Sequence, residues 1–425
     1  MQAIPGRGPR YPYYVLGVFF LVSVFNFVDR QLVSVLLQPI KEEFQVSDAT
    51  MGLLTGLAFM VVHSVLGIPI ARRADRGSRR TILAIGIAVW SALTAASGLA
   101  RHFAVLLVCR MGVGIGEATS SPTSHSMISD YFPENRRATA LAVYAMGVYV
   151  GIMFGYMAAG WVGEHFGWRT TFLIVGTPGL LLALLVWRTV DEPARSTTVD
   201  EHPLGDVIRT LFASRAYVYL LGAASFHALA AYCMAHWAPT FLLRVHGMTL
   251  SEVGFWLGLI TGSAGAAGAL AGGMLSDRLG RGDRRWYPWV NAIAAIAALP
   301  FAIGFVLSDG IAMALGAFVP LIFLTGVYTG PLYAMNQGLA RPRMRGMAVG
   351  VHLFVVSILG GGMGPWVVGM LNDSFRSNYG EMGIRYSLVI IQSVGLVLAT
   401  GCYLLVAHSY RQDVERALRE EGANP

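Results

Sequence analysis

Twelve mostly apolar stretches recur along this 425-residue chain, near 12–37, 49–71, 81–100, 103–130, 138–162, 170–190, 216–243, 251–275, 286–307, 311–338, 346–371 and 384–408. A helix needs about 20 such residues to cross a bilayer's hydrocarbon core. An open chain cannot satisfy its backbone polar groups in lipid, so helices are the expected spanning element. Composition agrees. Charged residues make up 13% of the chain and mean hydropathy is +0.57, whereas a soluble domain carries about 25% charged residues. The 50 glycines suit close helix packing in a bilayer. The expected fold class is an all-α membrane protein with twelve transmembrane helices.

The net charge of +7 is a poor footprint for nucleic acid, because its distribution follows the spans. Of the 31 Lys and Arg, 23 fall in the termini or the even-numbered loops (2–3, 4–5 and so on), six in odd-numbered loops, and two, Arg30 and Arg110, inside spans. Positive residues mark the cytoplasmic side, which puts both termini there. Cys109, Cys233 and Cys402 lie in separate spans, a spacing that suggests neither a disulfide framework nor a metal site. The short basic start, "MQAIPGRGPRYPYY", leads into a span too long for a signal peptide. Asn372 opens an "NDS" sequon in an external loop, a pattern frequent by chance.

The longest polar break, 191–215, divides the spans six and six. Within it "GDVIRTLFAS" reads as a short interfacial helix or as plain linker. The expected organisation is an N-terminal bundle over 1–190, a cytoplasmic linker over 191–215, and a C-terminal bundle over 216–425 with a short tail. Loops on either side of the break repeat each other: "ARRADRGSRR" in loop 2–3 and "GMLSDRLGRGDRR" in loop 8–9. Each ends a span with an acid and turns through a basic cluster. Parallel six-helix repeats place a substrate site between the halves, near the bilayer midplane. The loop charges either set topology alone or form a latch built from Asp75, Arg76 and Arg79 with their counterparts Asp277, Arg278 and Arg281. Asp130, closing span 4, is a further latch candidate with Arg136 or Arg137.

These loops resemble the signature loop of the major facilitator superfamily, G-x-x-x-D-R-x-G-R-R. The second copy matches at Gly273, Asp277, Arg278, Gly280 and Arg281; the first departs at Ala71 and Ser78. The resemblance implies two pseudo-symmetric six-helix bundles. What is absent also matters. There is no G-x-x-x-x-G-K-[ST] phosphate loop, the only lysine being Lys41, and "GVGIGEA" at 112–118 lies inside a span without the third glycine of a dinucleotide fingerprint. A pump driven by ATP is not expected. No cofactor is expected either; the energy source would be an ion gradient.

Span 1 carries Asp29 and Arg30 side by side, and a charge at the centre of a spanning helix costs about 2.5–3.5 kcal/mol on insertion scales. In span 4, Arg110, Gly114, Glu117, Ser121 and Ser124 recur near the helical period and share one face. Arg110 and Glu117, seven residues apart, are separated by about 10 Å along the axis, too far for a hydrogen bond. Depth offers another pairing. Asp29 lies about 25 Å above Pro12, and Arg110 about 10 Å below Phe103 on the descending helix. Both therefore sit in the outer half of a core roughly 30 Å thick, where they can pair if the helices touch.

Burial raises a carboxylate's pKa and a neighbouring arginine lowers it, so a carboxylate whose cation moves away becomes a proton carrier. Asp29 is the expected coupling residue and Glu117 a second carrier, with Arg110 and Arg30 tuning them and attracting an anionic headgroup. The competing readings are a static bridge between helices 1 and 4, and an Arg30 that snorkels outward. The C-terminal half has few buried charges. His227, Tyr328, Tyr333 and Asn336 are its cavity candidates, with core packing as the alternative for each.

"FNFVDRQ" in span 1, "RMGVGIGEA" in span 4, "ISDYFPENRRATA" after it and "GTPGLLLALLVWRTVDEPAR" closing the first half resemble the spinster family. That resemblance implies proton-linked transport of lysolipids or sphingoid lipids, with Asp29-Arg30, Arg110 and Glu117 at the family's charged positions; other amphiphiles or drugs are the alternative cargo. The expected partners are a small amphiphilic substrate and the lipid bilayer, with no nucleic acid, and the protein is expected to be a monomer. The arginine-rich composition points to a bacterial inner membrane. A lipid enzyme would need a nucleophile and base; Ser120, Ser121, Ser124 and His125 come nearest. A receptor that binds without transport is the third class.

Overall fold

The computed structural model of the protein describes residues 8–194, 204–341 and 344–419; a stretch of the expected linker, 195–203, lies outside them. Among the described residues, ten continuous helical runs are long and apolar enough to cross a membrane. Two of these runs each hold two spans. The run Glu134–Thr189 breaks at Gly167, whose φ of 79° and ψ of 162° suit a residue without Cβ. The last run breaks at Gly380, φ 57°. Twelve spanning helices result: α1 (Tyr11–Phe44), α2 (48–76), α3 (Arg79–Ser97), α4 (Phe103–Tyr131), α5 (134–166), α6 (168–189), α7 (Arg215–His246), α8 (Leu250–Gly280), α9 (Trp286–Leu307), α10 (Ile311–Leu339), α11 (345–379) and α12 (Gly383–Arg419). The segment "LGDVIRTLFA" is a short helix, Leu204–Ala213, with Val207 and Leu211 buried.

Packing divides the chain into two units. Unit 1 comprises Met1–Ser47, Leu57–Val199 and Gly247–Gly262; unit 2 comprises Asp48–Gly56, Asp200–His246 and Ser263–Pro425. In unit 1 a stripe of glycines one turn apart brings α5 onto α1. A Cβ at Gly147 would lie 2.8 Å from Ser23, one at Gly151 2.5 Å from the Val24 carbonyl, and one at Gly155 2.9 Å from Val28. In lipid, where apolar burial gives little drive, such small-residue stripes let backbones approach and dispersion do the work. Gly116 does the same for α4 against Trp90 of α3. These contacts fix the faces of α1 and α4 that carry the charges. The core of unit 2 is aromatic, with Tyr217, Trp237, Phe241, Phe305, Phe318 and Tyr403 fully or almost fully buried. Trp237 Nε1 donates to the Pro365 carbonyl at 2.9 Å.

Each unit takes in the start of one helix from the other half of the sequence, and the two seams are built alike. In unit 2, Gly52 of α2 abuts the Pro365 carbonyl, Gly369 abuts the Asp48 carbonyl, and a Cβ at Gly56 would lie 2.5 Å from the Gly362 oxygen. In unit 1, Gly254 of α8 abuts the Tyr156 carbonyl, Gly160 abuts the Leu250 carbonyl, and a Cβ at Gly258 would lie 2.6 Å from the Met153 oxygen. Positions 52/254, 56/258 and 48/250 share one offset; 369/160, 365/156 and 362/153 share another. The repeat read in the loops thus extends to single carbonyl–glycine contacts.

Carboxylates close both seams at a helix N-terminus, where free N–H groups favour an anion. Asp373 accepts from Asp48 N at 2.9 Å and Ala49 N at 2.8 Å, and Glu164 accepts from Ser251 N at 2.7 Å. Replacing Gly160 or Gly369 by Val is expected to cost about 1–3 kcal/mol by overpacking, read as an earlier unfolding midpoint in detergent. Gly316→Ala, where nothing lies within 4 Å, should be neutral or slightly stabilising.

Candidate functional site

Asp29 and Arg30 leave α1 about 100° apart around its axis, so neighbours in sequence reach different partners. Asp29 is 3% exposed. Its Oδ2 lies 3.0 Å from Arg110 Nη1 of α4, and its Oδ1 accepts from Thr94 Oγ1 of α3 at 2.7 Å. Arg30 donates from Nε to Glu117 Oε2 at 2.7 Å. Two ion pairs therefore bridge α1 and α4 with opposite polarity, acid to base and base to acid. Acids and bases are matched two to two, which is how they persist where each alone is expensive.

The pairing of Asp29 with Arg110 is the one that depth along the helices implies. Arg30 with Glu117 is not evident from depth, because a long arginine side chain spans the axial gap. Glu117 is 1% exposed; its Oε1, like Arg110 Nε, takes no protein partner among the described residues. Buried polar atoms of this kind are the places where a proton or a polar group gains most.

Gly114 lies on the same face of α4, one turn from Arg110 and nearly one turn from Glu117. A side chain there would meet the Phe59 carbonyl and ring of α2 at 3.0 and 3.4 Å. Its absence admits α2, so that Phe59 lies against both arginines and His63 Nδ1 lies 3.3 Å from the Gly114 carbonyl. Thr94 and Phe59 had no signal in the sequence: a threonine and a phenylalanine in apolar helices are ordinary.

A second cluster closes the loop 2–3 end of unit 1. Arg79, 3% exposed, donates to Asp130 Oδ2 at 2.5 Å, Ser126 Oγ at 2.8 Å, Glu192 Oε1 at 2.8 Å and the Pro193 carbonyl at 3.0 Å. Glu192 also accepts from Ser78 Oγ and Arg80 N, and Ser78 caps α3 by accepting from Thr81 N at 3.3 Å. A serine where the signature loop has glycine is therefore a helix cap. Arg136, expected opposite Asp130, donates to Tyr13 at 2.8 Å. Arg76 is exposed, and the side chain of Asp75 lies outside the described residues.

In unit 2, Asp277 accepts from Tyr287 at 2.9 Å, while Arg278 and Arg281 are exposed. His227 stacks on Tyr328 with ring centres 4.1 Å apart. Asn336 is 1% exposed with neither side-chain polar atom partnered among the described residues, and Tyr333 is exposed.

Comparison with known proteins decides the family. Residues 19–365 match the Major Facilitator Superfamily. The chain belongs to that superfamily. It is 34% identical over 414 residues to an MFS-type efflux pump of Mycolicibacterium smegmatis, covering 96% of this chain and 95% of that one. It is 28% identical over 458 residues to human protein spinster homolog 1, covering 98% and 84%. A crystal structure of a bacterial homolog of the human lysosomal transporter spinster, inward-facing and unoccupied, superposes with a TM-score of 0.86 at 31% identity, covering 96% of this chain and 99% of that one. The protein is a spinster-like, multi-pass membrane transporter of the major facilitator superfamily and not an enzyme, so the Ser120–His125 cluster needs no catalytic reading.

Two stability measurements test the clusters. Arg110→Met leaves the Asp29 carboxylate buried without its cation and is expected to cost about 3–5 kcal/mol, most of it recovered when Asp29→Asn is added; a double-mutant thermal cycle reads this. Arg79→Lys keeps the charge but gives up the fork, and loss of a hydrogen bond to a carboxylate should cost about 1.5–3 kcal/mol in the same assay.

Proposed function

We propose that the chain moves an amphiphilic, lysolipid-like or sphingoid substrate across the membrane by alternating access, coupled to protons, with Asp29 and Glu117 as carriers. The observation that carries this reading is the two ion pairs of opposite polarity between α1 and α4, Asp29–Arg110 buried and Arg30–Glu117 partly buried. Each carboxylate is paired with one guanidinium. When a helix shift removes that guanidinium, the carboxylate is left in low dielectric and takes a proton. The guanidinium released at the same moment is free for an anionic headgroup. The proton and the headgroup then each take one partner of the same ion pair, so each favours the other, which is the differential affinity that any coupled cycle requires.

The rest of the assignment follows from this reading. Arg30, Arg110 and Glu117 meet the polar end of the substrate, while His227, Tyr328, Tyr333 and Asn336 of the C-terminal half line the cavity. Arg79 with Asp130, and the equivalent loop at Asp277, latch one state. The halves are 1–190 and 216–425, joined by the cytoplasmic segment 191–215. The protein works as a monomer in a bacterial inner membrane with both termini in the cytoplasm, and needs no cofactor beyond the proton gradient. The efflux pump from Mycolicibacterium smegmatis, at 34% identity, favours a second reading, a proton-coupled exporter of drugs or organic anions that uses the same site.

Purified protein in proteoliposomes, given labelled lysophospholipids and cationic dyes under imposed pH or sodium gradients, tests both. A pH gradient is expected to drive uptake, and Asp29→Asn to lose that drive while retaining exchange at equal pH. Transport by Asp29→Asn that still follows the gradient would overturn the role given to Asp29; transport of dyes alone would favour the second reading.

A further inference from the structure

The two ion pairs on α1 and α4 share a third helix. Phe59 of α2 is 3% exposed. The Arg30 guanidinium carbon lies over its ring at 5.3 Å from the centre, and that of Arg110 at 5.6 Å. Arg30 also has Phe27 at 5.1 Å. His63, one turn on, is stacked on Phe59 with planes 15° apart and centres separated by 5.6 Å. The charged and titratable groups around this ring are thus Asp29 and Arg30 from α1, His63 from α2, and Arg110 and Glu117 from α4, with Thr94 of α3 touching Asp29. One apolar ring lies against both cations of the site.

We propose that Phe59 is a positioning residue whose ring holds Arg30 and Arg110 on their carboxylates, so that the state of α2 sets whether Asp29 and Glu117 keep their cations. A guanidinium is planar. It stacks on an aromatic by its face and bonds a carboxylate by its edge, so the two interactions support each other. The attraction to a ring is stronger where water is excluded; the Asp29–Arg110 pair is buried, and Arg30 is half-buried against a fully buried Glu117. Gly114 leaves the slot through which the ring arrives.

Helix α2 can alter that placement. Residues Leu53–Leu57, immediately before Ala58 and Phe59, form a π-helical turn, a feature frequent at functional sites. A one-residue change of register in that turn swings Phe59 about 100° around the helix, away from the arginines. The same turn contains Gly56, which abuts the Gly362 carbonyl in the π-helical turn Ser357–Gly362 of α11. Phe59 follows Gly56 by three residues in the chain. This inference rests on the reading of the ion pairs as the coupling site.

The test replaces Phe59 with phenylalanine carrying one, two or three ring fluorines, which weakens the ring's hold on cations with little change of shape. The protonated-carboxyl infrared band of purified protein is titrated with pH and assigned by difference against Asp29→Asn and Glu117→Gln. The expected result is a midpoint that rises steadily along the series, by roughly half a pH unit in all, because a looser guanidinium makes its carboxylate easier to protonate. Phe59→Tyr should retain the parent midpoint and Phe59→Leu should exceed the fluorinated forms. A midpoint indifferent to fluorine, or equal in the Leu and Tyr variants, overturns the proposal. The band is read without substrate or gradient, so a parent protein that ignores a pH gradient would strike the coupling reading and leave this measurement standing.

Discussion

Charge neutrality inside the bilayer is the constraint from which the rest of unit 1 follows. Asp29, Arg30, Arg110 and Glu117 can sit among apolar helices because each meets an opposite charge within about hydrogen-bonding distance. That requirement dictates how closely α1 and α4 approach. The glycine stripe of α5 against α1 and Gly116 of α4 against α3 seat the two charged helices on their other neighbours in the same unit. Removing one member of such a set leaves a buried charge uncompensated, whereas removing a matched pair does not. The four residues therefore behave as one unit, and a shift of either helix acts on both carboxylates at once.

Much of the architecture was legible in the sequence. Apolar length gave twelve spans, because lipid admits few alternatives to a helix. Depth along two antiparallel helices was enough to bring Asp29 to Arg110, since a 1.5 Å rise per residue is a reliable ruler. Arg30 with Glu117 was harder. An arginine can extend by several ångströms in either direction, so axial position does not choose between a partner and the membrane surface. Thr94 and Phe59 were out of reach altogether. Their roles come from neighbours brought in by tertiary packing, and nothing local distinguishes them from filler.

The Arg79 cluster at the loop 2–3 end of unit 1 shows the same division. The acid and arginines of loop 2–3 stood out as a repeated motif, yet the residue that organises the cluster is Arg79, and one of its partners, Glu192, comes from beyond the end of α6. A loop motif specifies which groups are available. The fold specifies which of them meet. Ser78 makes the point at smaller scale: it reads as a departure from the signature, and it serves as the N-cap of α3 and a donor to Glu192.

The paired glycine seams match backbone for backbone but differ in one respect. Asp48 of unit 2 carries a forked bridge from Arg244, at 2.6 and 2.8 Å, and Arg244 reaches on to Glu381 at 3.2 Å. The equivalent place in unit 1 is Leu250. Both seams have a carboxylate at the helix N-terminus, Asp373 or Glu164, but only the unit 2 seam adds a buried fork. A row of weak carbonyl–glycine contacts can open in succession, while a desolvated fork must let go in a single step. Strain applied equally to the two will therefore be released first beside Leu250, and the symmetry of the duplicated scaffold will be lost in the order of its movements.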